Sequence, residues 1–178
     1  LCSSAAELIP SGRLAVRPLQ WALQGVWSQA TQSWDVELPV SDELRRALAP
    51  WLRTTWLTSA VPLALPPPDI SLCADASLAG WGAHLLPTFE TVHGVWTLDE
   101  RAFHINVLEM LAAFRALIFW RERLRGRSVM LFSDNTTVIA YIKNQGGTHS
   151  RQLCQLSIDL LQWCGAERIT LHVSHIPG

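Results

Sequence analysis

Short apolar runs alternate with longer amphipathic stretches in the second part of the chain. This pattern is typical of a chain in which strands alternate with helices. Three short strands are predicted first, over Ile70–Ala74, Gly80–Leu86 and Thr91–Thr97. Because the links between them are short, we expect these strands to form an antiparallel meander.

Helices and two more strands follow the meander. A helix is predicted from Phe103 to about Arg123, where apolar residues cover a broad helical surface. The continuous apolar run Ser128–Ser133 predicts a strand that is buried on both faces. A short helix over Asn135–Lys143, a longer helix over Ser150–Trp163 and a strand over Ile169–Val173 complete the order β-β-β-α-β-α-α-β. With right-handed crossovers, this order predicts an α/β fold with a mixed five-stranded sheet flanked by helices.

The first 68 residues have a helical, tryptophan-rich pattern. Apolar positions predict one helix over Arg17–Trp27, with Pro18 in its first turn. Ser41 and two following acids predict the start of a second helix, which Pro50 should kink or divide. The run Pro66–Pro68 is a stiff spacer, so we predict a helical extension over residues 1–68 and an α/β domain over residues 69–178. The tryptophans of the extension are Trp21, Trp27, Trp34, Trp51 and Trp56.

Composition narrows the class of protein. The hydrophobic content of 49% is ample for a packed core, but the net charge of -1 supplies no bulk attraction to nucleic acid. The four cysteines have no metal-type spacing, which predicts reduced, buried thiols in an intracellular protein. No signal peptide is visible and no apolar run approaches the ~20 residues of a membrane span. We therefore expect a cytoplasmic or nuclear location without membrane contact.

Three acids stand at positions that suggest chemistry. Asp75 follows the first apolar strand and Asp134 follows the fourth. If those strands are parallel neighbours, their acids lie side by side in the crevice where ligands bind. Glu109 lies in an apolar part of the long helix, where an acid needs a proton, a cation or a partner.

Three converging acids predict a divalent metal site, because they repel one another and a hard cation with oxygen ligands relieves that repulsion. Two such ions about 4 Å apart could activate a water and stabilise the leaving oxygen of a phosphodiester. Each acid alone has a structural alternative. Asp75 could initiate a turn with Ser77, Asp134 could cap the following helix, and Glu109 could pair with an arginine. The convergence of all three favours the metal site.

Five blocks of sequence, together with their order, carry a family resemblance. They are Asp75-Ala76-Ser77 with Gly80-Trp81-Gly82-Ala83, His104-Ile105-Asn106-Val107-Leu108-Glu109, Ser133-Asp134-Asn135-Thr136-Thr137, Tyr141-Ile142-Lys143-Asn144-Gln145-Gly146-Gly147, and His175-Ile176-Pro177-Gly178. In this order they resemble the ribonuclease H domain of retroelement reverse transcriptases. The nearest likeness is to DIRS-type elements, the tyrosine-recombinase relatives of the gypsy-like group. Gly12-Arg13 and Arg17-Pro18-Leu19-Gln20 resemble the end of the polymerase portion, which implies that residues 1–68 are its connection segment.

The resemblance implies hydrolysis of the RNA strand of an RNA–DNA hybrid with two Mg²⁺ or Mn²⁺ ions, and the polymerase portion of the same polyprotein as a partner. Asp75, Glu109 and Asp134 match the family's first three metal-binding carboxylates. The family's fourth acid follows a His-x-Pro-Gly turn, and the sequence here reaches only Gly178. We therefore expect a domain truncated at its carboxyl end, with weakened binding of one ion and impaired turnover.

Contacts to the substrate are implied at several further residues. Asn106, Asn135 and Gln145 match minor-groove or sugar contacts, although capping or turn formation is an alternative for Asn135. Arg125 and Arg127 belong to the densest basic cluster, with Arg121 and Arg123, and could bind phosphates bidentately. Alternatively, Arg121 and Arg123 complement the helix end while the other two are solvated. His175 could assist proton transfer or product release.

Two other functions compete with hybrid cleavage. One is a catalytically impaired or domesticated domain that keeps the fold as a nucleic-acid-binding or scaffolding module. The other is an integrase-like nuclease, which is disfavoured because the three acids lack the long spacing to a late glutamate.

Overall fold

The structure is a computed structural model that describes residues 2–26, 37, 40–59, 62 and 64–177. It divides into two units, Leu1–Leu63 and Ala64–Gly178. Pro66 belongs to the second unit, where its carbonyl oxygen accepts a hydrogen bond from Ser128 Oγ at 2.9 Å. Of the five tryptophans predicted in the extension, Trp27 and Trp34 lie outside the described residues.

The first unit contains helices, as its pattern predicted. They are α1 Cys2–Ala5, α2 Gly12–Val26, α3 Asp42–Leu48 and α4 Thr54–Leu57, with a 3-10 turn over Ala49–Leu52. Ser41 caps α3 by accepting a hydrogen bond from the Leu44 N–H at 3.2 Å, and Pro50 in the 3-10 turn divides α3 from α4. The position predicted for Pro18 was wrong. It lies inside α2, because this helix begins five residues upstream of Arg17, at Gly12, and includes buried Leu14 and Val16.

The second unit contains the predicted mixed sheet. Its strands are β1 Ile70–Ala76, β2 Gly80–Leu86, β3 Glu90–Val95, β4 Ser128–Ser133 and β5 Thr170–His175. They lie in the order β3-β2-β1-β4-β5. The pairs β1–β2 and β2–β3 are antiparallel, whereas β1–β4 and β4–β5 are parallel. The meander and the two crossover strands are thereby confirmed.

Four helices accompany the sheet: α5 Ile105–Phe119, α6 Arg121–Leu124, α7 Thr136–Lys143 and α8 Arg151–Ala166. The long helix predicted over residues 103–123 is in fact two helices, because the backbone of buried Trp120 leaves helical geometry at φ -95° and ψ 21°. Helix α5 packs on β1 and β2 and against α8. Within the described ranges, no helix is long and apolar enough to cross a membrane.

A buried tryptophan connects the first hairpin to α5. Trp96, which follows β3, is 2% exposed and packs against Leu108 and Ala112 of α5. Its Nε1 donates a hydrogen bond to the Ser77 carbonyl oxygen at 2.7 Å, directly after β1. Trp81 packs at the edge of the same cluster. The end of β1 and the first turns of α5 are therefore held together by one apolar cluster.

Two glycines of this unit give opposite predictions for stability. An alanine at Gly80 would place its Cβ into the carbonyl oxygen of Gly94 on the neighbouring strand, so we expect Gly80→Ala to lower the free energy of unfolding by roughly 2 kcal/mol. Gly165 in α8 has no heavy atom within 4 Å of such a Cβ, so Gly165→Ala should raise it by about 0.5–1 kcal/mol. Urea denaturation measures both, and a Gly80→Ala variant as stable as Gly165→Ala would contradict the tight approach of β2 and β3.

Candidate metal centre

Two of the three acids lie at the same edge of the sheet because of strand order and register. β1 and β4 are parallel neighbours, and Cys73 is aligned with Phe132. Asp75 and Asp134 each follow two residues later, so both reach the edge at which these strands end. The arrangement is the one in which groups at the carboxyl ends of parallel strands meet in a crevice.

Glu109 joins them from α5. The acid is 6% exposed, whereas Asp75 and Asp134 are exposed. Each of the three side chains offers one carboxylate oxygen, and these atoms all lie within 4.8 Å of one another. The helix and the two strands therefore bring together the three acids that the sequence singled out.

The pKa of Glu109 reflects this crowding. Burial raises the pKa of Glu109 to about 7, and the negative charges of Asp75 and Asp134 act in the same direction. A hydrogen bond from the Ala76 backbone N–H opposes this shift in pKa. The Oε2 atom of Glu109 is buried without a hydrogen-bond partner in the described part of the chain. A buried carboxylate in this state needs a proton or a cation.

Structural roles alone do not account for the acids. Asn135, not Asp134, caps α7, because its Oδ1 accepts hydrogen bonds from the N–H groups of Thr137 at 3.0 Å and Val138 at 3.1 Å. The turn after β1 is bonded by Ser77, whose Oγ accepts from two backbone N–H groups. The unpartnered oxygen of Glu109 is also inconsistent with a full arginine pair. Three converging carboxylates with one unpartnered oxygen fit a hard divalent cation such as Mg²⁺.

Two asparagines lie beside the acids. Asn135 follows Asp134, and Asn106 precedes Glu109 by three residues, hence on the same side of α5. Asn135 Nδ2 donates a hydrogen bond to Asn106 Oδ1 at 2.9 Å. Helix α5 is itself capped by His104, whose Nδ1 accepts from the Asn106 N–H at 3.2 Å. Both predicted amide contacts thus lie at the centre, and Asn135 also has the capping role that was its alternative.

The remaining predicted contacts lie elsewhere. Gln145 follows the far end of α7, with a left-handed φ of 52°. Arg125 and Arg127 precede β4, so the length of this strand, about 20 Å, separates them from Asp134. Arg125 Nε donates to Glu167 at 2.8 Å, and Arg121 contacts the same carboxylate at 2.7 Å. These arginines therefore do not join the carboxylate cluster, and any phosphate they bind lies far from it.

His175 does reach the edge that carries the acids. It is the last residue of β5, aligned with Ser133 of β4, and its side chain is exposed. Among the described residues, the cluster of possible metal ligands comprises the three carboxylates without His175. An auxiliary role for this histidine stays a prediction.

Sequence reasoning missed His93, which lies in a groove beside the acids. The groove has a volume of about 510 Å³, and Asp75, Gly82, His93, Phe132 and Asp134 are among its lining residues. Asp75, Gly82 and His93 are aligned across three adjacent strands, and Gly82 keeps the row open because it has no side chain. The sequence does contain a signal for His93. If the three strands are paired as two hairpins, the residues aligned with Asp75 are Gly82 and then His93.

Solved structures with a similar fold contain the same kind of sheet. Ribonuclease H1 from the halophilic archaeon Halobacterium salinarum NRC-1 aligns with a TM-score of 0.50 and 15% identity, over 61% of this chain and 85% of that one. LC11-RNase H1, solved in complex with an RNA/DNA hybrid, aligns with a TM-score of 0.52 and 15% identity, over 61% and 86%. The fold is ribonuclease H-like.

In this ribonuclease H-like fold, β1, α5 and β4 supply the three acids. A foamy viral protease-reverse transcriptase, solved with double-stranded DNA, aligns over 99% of this chain and 31% of that one, with a TM-score of 0.45 and 17% identity. No sequence model of a protein family matches the chain, and no curated protein matches it either.

Proposed function

We propose that the second unit is a metal-dependent endonuclease that cleaves the RNA strand of RNA–DNA hybrids. The observation that carries this proposal is the cluster of Asp75, Glu109 and Asp134 at the strand edge of a ribonuclease H-like sheet, with one buried oxygen that lacks a partner. Hard oxygen ligands and the exposure of two of the acids suit a site where a phosphodiester approaches from solvent.

The proposed ligands are the three carboxylates, and the proposed ions are two Mg²⁺ or Mn²⁺. Such ions polarise a phosphodiester and lower the pKa of a water when they are bound. Glu109 would have to be ionised to hold such a cation, because only the ionised carboxylate is a ligand. Asp75 and Asp134 lie at the exposed side of the cluster, where the substrate would approach.

The wider context is a retroelement reverse transcriptase of the DIRS type. The five ordered sequence blocks between Asp75 and Gly178 support it, and so do the polymerase-like residues 12–20. On this proposal, residues 1–68 are the connection segment, residues 69–178 are the ribonuclease H domain, and the polymerase portion of the same polyprotein is the partner. The proposed place of action is intracellular.

Strand-specific cleavage tests the proposed function. A hybrid labelled on either strand is incubated with Mg²⁺, and we expect products from the RNA strand alone, with EDTA abolishing them. The 178-residue chain is compared with one continued to include the predicted fourth acid, which should cut faster. DNA-strand cleavage, or no cleavage by either chain, would contradict the proposal. Hybrid binding that is independent of metal and yields no product would instead support the scaffolding alternative.

A further inference from the structure

We infer that Asn135 is a positioning residue, which orients the amide of Asn106 so that Asn106 presents N–H donors to the substrate. The inference rests on the proposed function, since it concerns how the same site holds a nucleic acid. It also separates two residues that were both predicted as direct contacts. Asn106 keeps that role, and Asn135 acts through it.

The cap of α7 sets the orientation of Asn135. Two backbone N–H groups, from Thr137 and Val138, point at the same side-chain atom of Asn135. Only an oxygen can accept both hydrogen bonds, so Oδ1 lies towards α7 and Nδ2 lies towards α5. A rotated amide would place its NH₂ group against two donors and lose the cap.

The orientation of Asn135 then determines that of Asn106. Because Asn135 Nδ2 is a donor, the atom of Asn106 that it contacts at 2.9 Å has to be the oxygen Oδ1. The Nδ2 group of Asn106 is left to donate elsewhere. Within the described part of the chain it has no hydrogen-bond partner, and it is not among the buried unpartnered atoms, so solvent or a ligand can reach it. The orientation of Asn135 thus causes Asn106 to present its Nδ2 donor, rather than its Oδ1 acceptor, to solvent or a ligand.

A donor at this place fits an RNA–DNA hybrid. Ribose 2′-hydroxyls accept hydrogen bonds, and so do minor-groove base atoms that occur in every base pair. A donor can therefore bind without reading sequence. Asn106 lies one helical turn before Glu109 and Asn135 lies directly after Asp134, so the bond between them also holds this donor at a set distance from the acids.

Asn135→Ser tests the positioning role. Serine retains a capping oxygen but has no amide donor to hold Asn106. With Mg²⁺ and a labelled hybrid, we expect KM to rise about 3- to 10-fold while kcat stays within about twofold, and the metal-free Kd for the hybrid to rise by a similar factor. Asn144→Ser, at the other end of α7, is the matched control and should leave these constants unchanged.

A double-mutant cycle shows whether Asn135 acts through Asn106. Asn106→Ala removes the presented donor, so adding Asn135→Ser to it should cause no further loss of binding. Equal effects of Asn135→Ser in both backgrounds, or no effect in the parent, would overturn the inference. A lower Tm with parallel losses in kcat and binding would show a capping role alone and would overturn it too. If the parent itself neither binds nor cuts hybrids, the proposed function fails, and that failure is visible without any variant.

Discussion

Asp134→Asn is expected to lower Mg²⁺-dependent cleavage of the RNA strand by more than roughly 100-fold. The loss of a residue that only hydrogen-bonds a metal ligand already costs up to about 100-fold, and the loss of a ligand itself should cost more. The amide is nearly isosteric with the carboxylate, but it removes one of the three negative charges that would hold the cation. Asp75→Asn should have a comparable effect for the same reason. The fold should persist, because Asp134 is exposed and the cap of α7 comes from Asn135.

Single-turnover cleavage and thermal melting measure this prediction together. Asp159→Asn is the matched control, since it makes the same chemical change at an exposed position of α8, where Asp159 accepts a hydrogen bond from Gln155 Nε2 at 2.9 Å. We expect the control to cut like the parent and all variants to melt within a few degrees of it. Cleavage by Asp134→Asn and Asp75→Asn at the parent's rate would show that the cluster is not the catalytic centre.

Glu109→Gln is expected to stabilise the protein in the absence of metal at pH 8 but not at pH 5. In the folded chain the pKa of Glu109 is about 7, against an ordinary value of 4.5. Between pH 4.5 and pH 7, Glu109 keeps its proton in the folded state but has released it in the unfolded state. The stability conferred by the protonated side chain is therefore complete below pH 4.5 and is lost as the pH rises through 7.

The size of this effect follows from the shift in pKa. Above pH 7 the ionised Glu109 lowers the free energy of unfolding by on the order of 3 kcal/mol relative to its protonated form. Glutamine does not titrate, so its side chain stays uncharged at both pH values. The difference in Tm between the variant and the parent should therefore grow with pH.

Divalent cations should reverse the order of stability of Glu109→Gln and the parent at pH 8. At pH 8, Mg²⁺ should raise the Tm of the parent, because the cation neutralises the crowded carboxylates, and it should raise that of Glu109→Gln much less. Melting curves at pH 5 and pH 8, with and without MgCl₂, measure both effects. Glu122→Gln, at an exposed position of α6, is the control and should follow the parent. A pH-independent difference between Glu109→Gln and the parent would show that Glu109 is not the titrating group.

Elements with a strong local pattern could be predicted from sequence. The alternation in β2 and the continuous apolar run of β4 define strands on their own, and Ser41 marks the start of α3. Two helix boundaries did not follow from the local pattern. Trp120 leaves helical geometry between α5 and α6, and α2 begins at Gly12, upstream of Pro18.

Contacts between residues that are distant in the chain could not be predicted from the sequence pattern. Arg121 and Arg125 suggested a phosphate-binding cluster, yet both contact Glu167, which is distant in the chain and close only because the turns before β4 and β5 are neighbours. His93 was not connected with Asp75 from the sequence, because its distance from Asp75 depends on the register of two strand pairs.

The sequence by itself determined the kind of fold and the residues proposed to carry its chemistry: two acids after apolar strands and one within an apolar helix. Periodicity and local apolar context are properties of neighbouring residues, so a pattern can reveal them. Only the tertiary structure decided that Asp75, Glu109 and Asp134 have carboxylate oxygens within 4.8 Å of one another, that burial and charge raise the pKa of Glu109, and that Asn135 donates a hydrogen bond to Asn106. Those properties depend on strand order, register and burial, which arise when distant segments pack together.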